Sequence, residues 1–144
     1  MAEWRILVVD DEADIRDSVA LLLETIPNAE IITAPDGAVA FGMLDTLQPH
    51  VVLSDMRMPG MNGLDLLQAC RVKAPGAVRM LMTAFPDVDI AAKAVNDAHI
   101  ENFFLKPFDG VDVLKRVQRA IEIAAASRHK EQALARAVDA LARR

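Results

Sequence analysis

Four short apolar segments of this sequence are followed by residues that could carry out chemistry. These residues are two adjacent aspartates, a third aspartate, a hydroxyl and an ammonium, namely Asp10, Asp11, Asp55, Thr83 and Lys106. Each has an ordinary interpretation when taken alone: adjacent acids are usually solvated, and Asp11 could cap a helix. A single threonine after a strand is usually structural, and a single lysine usually lies on the surface. Their recurrence at four segment ends favours one shared site.

Such a group of side chains suits phosphoryl chemistry. Crowded carboxylates repel one another, and a hard divalent cation relieves the repulsion. A site with only oxygen ligands suits Mg²⁺, which keeps several waters and favours phosphate substrates. A carboxylate beside Mg²⁺ can attack phosphorus and form an acyl phosphate, while the ammonium neutralises the transferred oxygens.

The segments that must position these residues alternate between two kinds of pattern. Short β-rich runs cover residues 6–9, 31–33, 51–53, 78–82 and 103–105. Between them lie stretches with helical spacing. In the first stretch, Ile15, Val19, Leu22, Leu23 and Ile26 share one helix face, and Pro27 closes it. The later helices are predicted from Pro35-Asp36-Gly37 to about Leu47, around Leu64, Leu67 and Val72, from Pro86-Asp87 to about Ala98, and from near Gly110.

A strand and a helix therefore alternate five times. The strand segments are runs of Val, Ile and Leu without polar alternation, which is typical of strands buried on both faces. This pattern predicts an α/β fold with a doubly wound, five-stranded parallel sheet and right-handed crossovers. The active crevice of such a sheet lies beyond the carboxyl ends of its strands, where the polar residues above would meet.

Composition limits the class of protein. The chain has 144 residues, of which 53% are apolar and 26% charged, so it predicts one folded domain and excludes wholesale disorder. No apolar run approaches the ~18 residues of a membrane span, and the start does not resemble a signal peptide. The single cysteine, Cys70, excludes an internal disulfide, so a reducing, cytoplasmic location is expected. The net charge of -5 predicts no direct nucleic-acid partner, and the lack of a long apolar run predicts no membrane partner.

The charge is distributed unevenly along the chain. Residues 128–144 hold five basic and two acidic side chains, which leaves an acidic body before a basic tail. We predict a domain over 1–125 and a helical extension or linker over 126–144. A heptad pattern runs through both, at Val113, Val117, Ala120, Ala124, Ser127, Glu131, Leu134, Val138 and Leu141. It is weak near Ser127, where a hinge is one interpretation. A homodimer through this last helix and a solvated alanine-rich helix both remain open.

Over roughly residues 4–125 the sequence resembles the receiver domain of two-component response regulators. The resemblance is carried by motifs at the strand ends: Leu7-Val8-Val9-Asp10-Asp11-Glu12, Asp55-Met56-Arg57-Met58-Pro59-Gly60-Met61-Asn62-Gly63, Met82-Thr83-Ala84 and Leu105-Lys106-Pro107-Phe108. It implies a flavodoxin-like fold with strand order 2-1-3-4-5, five helices and, here, an extended C-terminal helix. It also implies a phosphorelay protein in the cytoplasm that catalyses only its own phosphorylation and dephosphorylation.

The resemblance implies roles for individual residues. Asp55 would accept a phosphoryl group from a sensor histidine kinase or a phosphotransfer protein. Mg²⁺ would be held by Asp10, Asp11, Asp55 and the backbone carbonyl of Arg57. Lys106 and Thr83 would bind phosphoryl oxygens. Thr83 and Phe103 would switch the face made by helix 4, strand 5 and helix 5, and so regulate an output domain or effector protein.

The same resemblance places Arg57 and Phe85 at the positions that tune access of hydrolytic water. Both are bulky, so we expect slow autodephosphorylation.

Three other functions fit the sequence less well. Phosphohydrolases of the haloacid-dehalogenase type resemble Asp-x-Asp at the first strand, whereas this chain has Asp10-Asp11 without a spacer. Glycine-rich nucleotide-binding motifs do not occur in the sequence. An unphosphorylated interaction module of the same fold is disfavoured by the intact acidic set. Whether the chain stands alone or belongs to a longer regulator remains open.

Overall fold

Five strands and five helices alternate along the chain, as the sequence pattern predicts. The structure is a computed structural model, and it describes residues 3–84, 88–98, 100, 102–106 and 109–143, without the side chains of Val88 and Ile90. The elements are β1 (Trp4–Val9), α1 (Ala13–Leu23), β2 (Ala29–Ala34), α2 (Gly37–Leu47), β3 (Val51–Asp55), α3 (Gly63–Lys73), β4 (Val78–Thr83), α4 (Val88–Asp97), β5 (Asn102–Leu105) and α5 (Gly110–Ala142).

All strands of the sheet are parallel, in the order β2-β1-β3-β4-β5. This order confirms the predicted flavodoxin-like fold. Every residue of the central strand β3 is buried, because helices cover both faces of the sheet. All five carboxyl ends lie at one edge of the sheet.

The helices divide the apolar core into two layers. On one face of the sheet, α2, α3 and α4 pack over residues such as Leu7, Val52 and Leu81. On the other face, α1 and α5 pack over residues such as Val8 and Leu53. Successive strand residues point to opposite faces, so each strand supplies both layers.

One sequence prediction about the helices needs correction. The first helix ends at Leu23, earlier than Ile26, although Ile26 is still buried. Pro27 disfavours helical backbone at the residue before it, so the chain leaves the helix sooner. The third helix forms around Leu64, Leu67 and Val72 as predicted; Leu64 and Leu67 are buried, whereas Val72 is 80% exposed. The predicted start of the fourth helix at Pro86-Asp87 lies outside the described residues.

The last helix, α5, has 33 residues and is therefore about 50 Å long. Val113, Val117, Ala120 and Ile121 bury its first half against the sheet, whereas residues 129–143 are all exposed. The helix continues through Ser127, so the structure shows no hinge there. Among the described residues, no helix combines the length and the apolar character that crossing a bilayer requires.

Candidate functional site

The polar residues at the strand ends meet at one edge of the sheet, as predicted. Asp10 follows β1 directly, Asp55 and Thr83 end β3 and β4, and Lys106 follows β5. Backbone hydrogen bonds continue beyond the strands: the Lys106 N–H donates to the Thr83 carbonyl at 2.8 Å, and the Met56 N–H donates to the Met82 carbonyl at 2.8 Å. The sheet therefore fixes where these side chains begin.

The Lys106 ammonium lies between two buried carboxylates. Its Nζ is 3.0 Å from Asp10 Oδ2 and 3.2 Å from Asp55 Oδ1, and it is 4.0 Å from Oε1 of the more exposed Glu12. A charge-assisted pair at this distance is strong when both partners are buried. The Lys106 cation thus partly neutralises the carboxylates of Asp10 and Asp55, which would otherwise repel each other.

These contacts shift the protonation equilibria of the site. Burial raises the pKa of the Asp55 carboxyl, and the neighbouring Asp10 charge raises it further, while Lys106 opposes both. Burial alone would lower the pKa of Lys106, but its hydrogen bond and charge interaction with Asp10, together with Asp55, outweigh burial and raise it. Lys106 is therefore held as a cation.

Three carboxylates form a group that suits a divalent cation. Oxygen atoms of Asp10, Asp11 and Asp55 all lie within 4.8 Å of one another, with Asp10 and Asp55 buried and Asp11 exposed. Oxygen donors with one exposed member fit Mg²⁺, which retains water ligands. The group opens into a cleft of about 120 Å³ that is lined by Asp11, Glu12, Asp55, Arg57, Thr83, Ala84 and Lys106.

The backbone around Asp10 shows a helix start that differs from one sequence interpretation. Glu12 occupies the N-cap position of α1, so Asp11 does not cap this helix. The Glu12 N–H donates to Asp10 Oδ1 at 2.9 Å, and Arg16 Nη1 donates to the Asp10 carbonyl at 2.9 Å. Asp11 therefore remains available to the cleft.

Sequence reasoning missed some residues that position Asp55. A Cβ added to Gly63 would overlap the Asp55 carbonyl oxygen and lie 3.0 Å from Leu81 Cδ1, so the start of α3 approaches the end of β3 closely. Ser54 Oγ donates to the Asp55 carbonyl at 2.9 Å. In the sequence, the sign of this close approach was that Gly63 directly follows Asn62, which caps the helix.

The two predicted switch residues lie on neighbouring strands. Thr83 is buried at the end of β4, and Phe103 is partly buried against the core layer of α2, α3 and α4. The register pairs Leu81 with Phe103 and Thr83 with Leu105, so Thr83 and Phe103 face the same side of the sheet. Arg57 lines the cleft, whereas Phe85, the second residue expected to tune hydrolysis, lies outside the described residues.

Other residues of reactive type lie away from the cleft. His50 precedes β3 at the opposite edge of the sheet, and His129 is exposed on α5, while His99 lies outside the described residues. Cys70 is buried in α3, and burial raises the pKa of its thiol to about 11. It is therefore poorly suited to redox sensing.

The sheet, the acidic cleft and the lysine together define a receiver-type α/β domain. The sequence profile of the response regulator receiver domain matches residues 6–140. The chain belongs to this family, which serves as the phosphoacceptor signalling domain of two-component systems.

Individual relatives agree with this assignment. The chain is 33% identical over 133 residues to Regulatory protein AtoC of Escherichia coli (strain K12), covering 90% of this chain and 28% of AtoC. It is 36% identical over 114 residues to the DNA-binding transcriptional regulator NtrC of Klebsiella pneumoniae, covering 79% and 24%. The signal receiver domain of an HD domain-containing protein from Pseudomonas fluorescens Pf-5 superimposes with a TM-score of 0.80 at 29% identity, covering 85% of this chain and 98% of that one.

The relatives bear on the predicted absence of a nucleic-acid partner. This chain spans only about a quarter of the length of AtoC and NtrC, and NtrC is named as a DNA-binding regulator. The prediction does not fit such relatives. It rested on net charge, and the charge of a receiver domain carries no information about domains joined to it.

Proposed function

We propose that this protein is a Mg²⁺-dependent phosphoacceptor that receives a phosphoryl group on Asp55 from a sensor histidine kinase or a phosphotransfer protein. One observation carries the proposal: Asp55 lies in an open cleft, 3.2 Å from the Lys106 ammonium and beside Asp10 and Asp11. No other carboxylate in the described part of the chain combines burial, a lysine partner and access to this cleft.

The proposed reaction is an exchange of bonds at phosphorus. An Asp55 carboxylate oxygen attacks the phosphorus of a phosphohistidine, the O–P bond forms and the P–N bond breaks. The electron pair of the broken bond returns to the partner's imidazole nitrogen. Lys106 and the Thr83 hydroxyl bind phosphoryl oxygens and stabilise the charge that spreads over them. The reaction needs no general base from this chain, since a carboxylate is already a nucleophile.

The donor set supports a metal ion in this reaction. Asp10, Asp11, Asp55 and the backbone carbonyl of Arg57 would hold Mg²⁺, which supplies positive charge to the phosphoryl oxygens when bound. The chain's own contribution is to hold Asp10 in place, through the Glu12 N–H, and to keep Lys106 as a cation.

The phosphoryl group would change the face formed by α4, β5 and α5. We propose that Thr83 moves to bind a phosphoryl oxygen and that Phe103 occupies the space it leaves, which biases this face between two arrangements. An output domain or effector protein would bind that face. Apart from its own phosphorylation and dephosphorylation, the protein would catalyse no reaction. On family grounds we place it in the cytoplasm.

The C-terminal part is proposed to mediate self-association. We divide the chain into a receiver domain over 1–125 and a helical extension over 126–144. Leu134, Val138 and Leu141 are all exposed on the extension, at heptad spacing. A second copy could cover them in a homodimer through α5, and a shift in the packing of α5 on phosphorylation would change the pairing.

Phosphorylation with a small donor tests the proposed acceptor. The wild-type protein, Asp55→Asn and the exposed control Asp65→Asn are incubated with acetyl phosphate and Mg²⁺, and their intact masses are measured. Wild type and Asp65→Asn should each gain the mass of one phosphoryl group, and the gain should disappear when Mg²⁺ is chelated. Equal labelling of a folded Asp55→Asn protein would reject Asp55 as the acceptor.

A further inference from the structure

A cluster of four side chains lies at the edge of the sheet opposite the acidic cleft. Trp4 begins β1, Glu3 precedes it, and His50 comes directly before β3. Arg128, from the second half of α5, reaches all three of them. β1 is six residues long, so the cluster lies about 20 Å from the strand ends that form the cleft.

Arg128 makes three different contacts in this cluster. Its guanidinium carbon is 4.4 Å from the centre of the Trp4 ring, and Nη1 is 3.2 Å from Glu3 Oε1. Nη2 is 3.3 Å from His50 Nε2. Residues 129–143 are all exposed, so Arg128 is the last partly buried residue of α5. It therefore defines where the helix stops packing and the free tail begins.

The ring of His50 faces two N–H donors. The Arg5 backbone N–H donates to Nδ1 at 3.1 Å, while Arg128 approaches Nε2. A neutral imidazole has one acceptor nitrogen, and a protonated imidazole has none. Protonation would therefore remove the bond to Arg5 and place a positive ring against two guanidinium groups, those of Arg5 and Arg128. Glu3 is the acidic group of the cluster, and it contacts Arg128.

We propose that Glu3, Trp4, His50 and Arg128 form a proton-sensitive latch that holds α5 to the sheet, and that protonation of His50 releases Arg128. The proposal does not depend on phosphoryl transfer. Arg128 is the member that yields, because Trp4 and the backbone of His50 are held by the sheet. The His50 N–H donates to the Arg5 carbonyl at 2.8 Å, and its carbonyl accepts from Val78 at 2.9 Å. Trp4 is buried, whereas the Arg128 side chain is 36% exposed at the end of a flexible stem.

The direction of the pH effect follows from the closed latch. Burial, then the charges of Arg5 and Arg128, lower the pKa of His50 below its ordinary 6.5. When the latch is open, the pKa of His50 returns towards its ordinary value. The closed form is therefore favoured above about pH 6.5. Between about pH 6.5 and the lower pKa of the closed form, the ratio of closed to open forms falls by up to about tenfold for each unit by which the pH falls.

The latch carries its own spectroscopic probe. Trp4 is the one tryptophan of the chain, and there is no tyrosine. Its ring is covered on one side by Arg128, and the His50 ring meets it edge-on at 4.9 Å. Emission intensity alone is ambiguous, because a protonated histidine in contact can quench tryptophan without any movement. Quenching by acrylamide measures access to the ring and separates the two effects.

The experiment uses the full chain from about pH 8 to about pH 5, a range that brackets the ordinary histidine pKa. In wild type, the acrylamide quenching constant of Trp4 should rise about twofold as the pH falls, since the cation that covers the ring leaves. Arg128→Ala should show, at every pH, the higher acrylamide quenching constant that wild type reaches at low pH. Arg136→Ala, which removes an exposed arginine of the same helix, should behave like wild type.

Two further variants identify the titrating group. His50→Gln keeps a neutral hydrogen-bonding side chain and should abolish the pH-dependent step. Glu3→Gln should retain a step with its midpoint below 6.5. Backbone hydrogen exchange of residues 121–135 should quicken over the same pH interval in wild type. A flat wild-type curve, an unchanged step in His50→Gln, or equal quenching of Arg128→Ala and wild type at pH 8 would each overturn the latch.

Discussion

At the scale of single residues, the exposure of Asp11 distinguishes it from the other clustered carboxylates. Asp10 and Asp55 are buried and paired with Lys106, whereas Asp11 faces the cleft from an exposed position. Asp11 is therefore the member that can be replaced with the least disturbance of the fold. Its proposed role is metal binding alone, so replacing Asp11 tests that role directly.

We predict that Asp11→Ala loses Mg²⁺-supported phosphorylation by acetyl phosphate. Removal of a metal ligand should slow acyl-phosphate formation by at least about tenfold, because the site loses both a ligand and a charge. The rate is measured by intact mass against time at several Mg²⁺ concentrations. Asp17→Ala, an exposed aspartate of α1, is the matched control. A wild-type rate in Asp11→Ala would show that Asp11 does not hold the metal.

A second residue-scale prediction concerns Gly63. Gly63→Ala should lower the free energy of unfolding by about 1–3 kcal/mol and slow phosphorylation, because the new methyl group must push the Asp55 backbone away. Gly42→Ala, inside α2 with open space around it, should instead be neutral or slightly stabilising. Urea unfolding and the acetyl phosphate reaction measure the two effects. If both alanine variants behave alike, the close approach of α3 to Asp55 does not constrain the site.

At the scale of elements, the order of strands and helices could be predicted because the spacing of apolar residues agrees with the Pro and Gly residues that begin or end the elements along most of the chain. The convergence of Asp10, Asp55 and Lys106 followed from a single rule about parallel strands. An error appeared at the end of α1, which was predicted to reach Ile26 because that residue fits the helical spacing; Ile26 is buried, but the helix ends at Leu23. The contacts of Arg128 could not be predicted, since Arg128 and Glu3 are 125 positions apart and meet only in the folded chain.

The two halves of α5 should respond differently to the same substitution. Val117 is fully buried and Val138 is 58% exposed on one continuous helix. Val117→Ala should cost about 2 kcal/mol of stability through lost burial and a small cavity. Val138→Ala should stay within about 0.5 kcal/mol of wild type in dilute protein. Urea unfolding measures both values, and similar losses would show that the tail contributes to the fold of the monomer.

At the scale of the whole molecule, we propose different roles for the acidic body and the basic extension. The phosphoryl chemistry is proposed for the strand ends, and self-association is proposed for the exposed apolar residues of the tail. The helix α5 joins the two, because its first half is part of the face that Thr83 and Phe103 are proposed to switch.

We predict a dimer that depends on the tail and is strengthened by phosphorylation. Sedimentation compares the full chain, a 1–126 protein and a full-length Leu134→Gln/Leu141→Gln variant, each with and without beryllofluoride as a phosphoryl mimic. The full chain should dimerise more tightly with beryllofluoride, because a shift of α5 changes how the stripes pair. The two altered proteins should remain monomeric.

Val72→Gln, which changes an exposed apolar residue on α3, is the control for a general effect of surface polarity and should dimerise like wild type. Monomers under every condition would reject the dimer. Equal dimerisation with and without the tail would assign the contact to another surface.

The central claim is that Asp55 carries the phosphoryl group, and chemical mapping of that group tests it most directly. Borohydride reduces an acyl phosphate to an alcohol, so a phosphorylated aspartate becomes homoserine, which tandem mass spectrometry locates in the sequence. After reaction of the wild-type protein with acetyl phosphate and Mg²⁺, we predict homoserine at position 55 and aspartate at positions 10 and 11. Homoserine at position 10 or 11, or unmodified Asp55 in a protein that has gained the phosphoryl mass, would contradict the account.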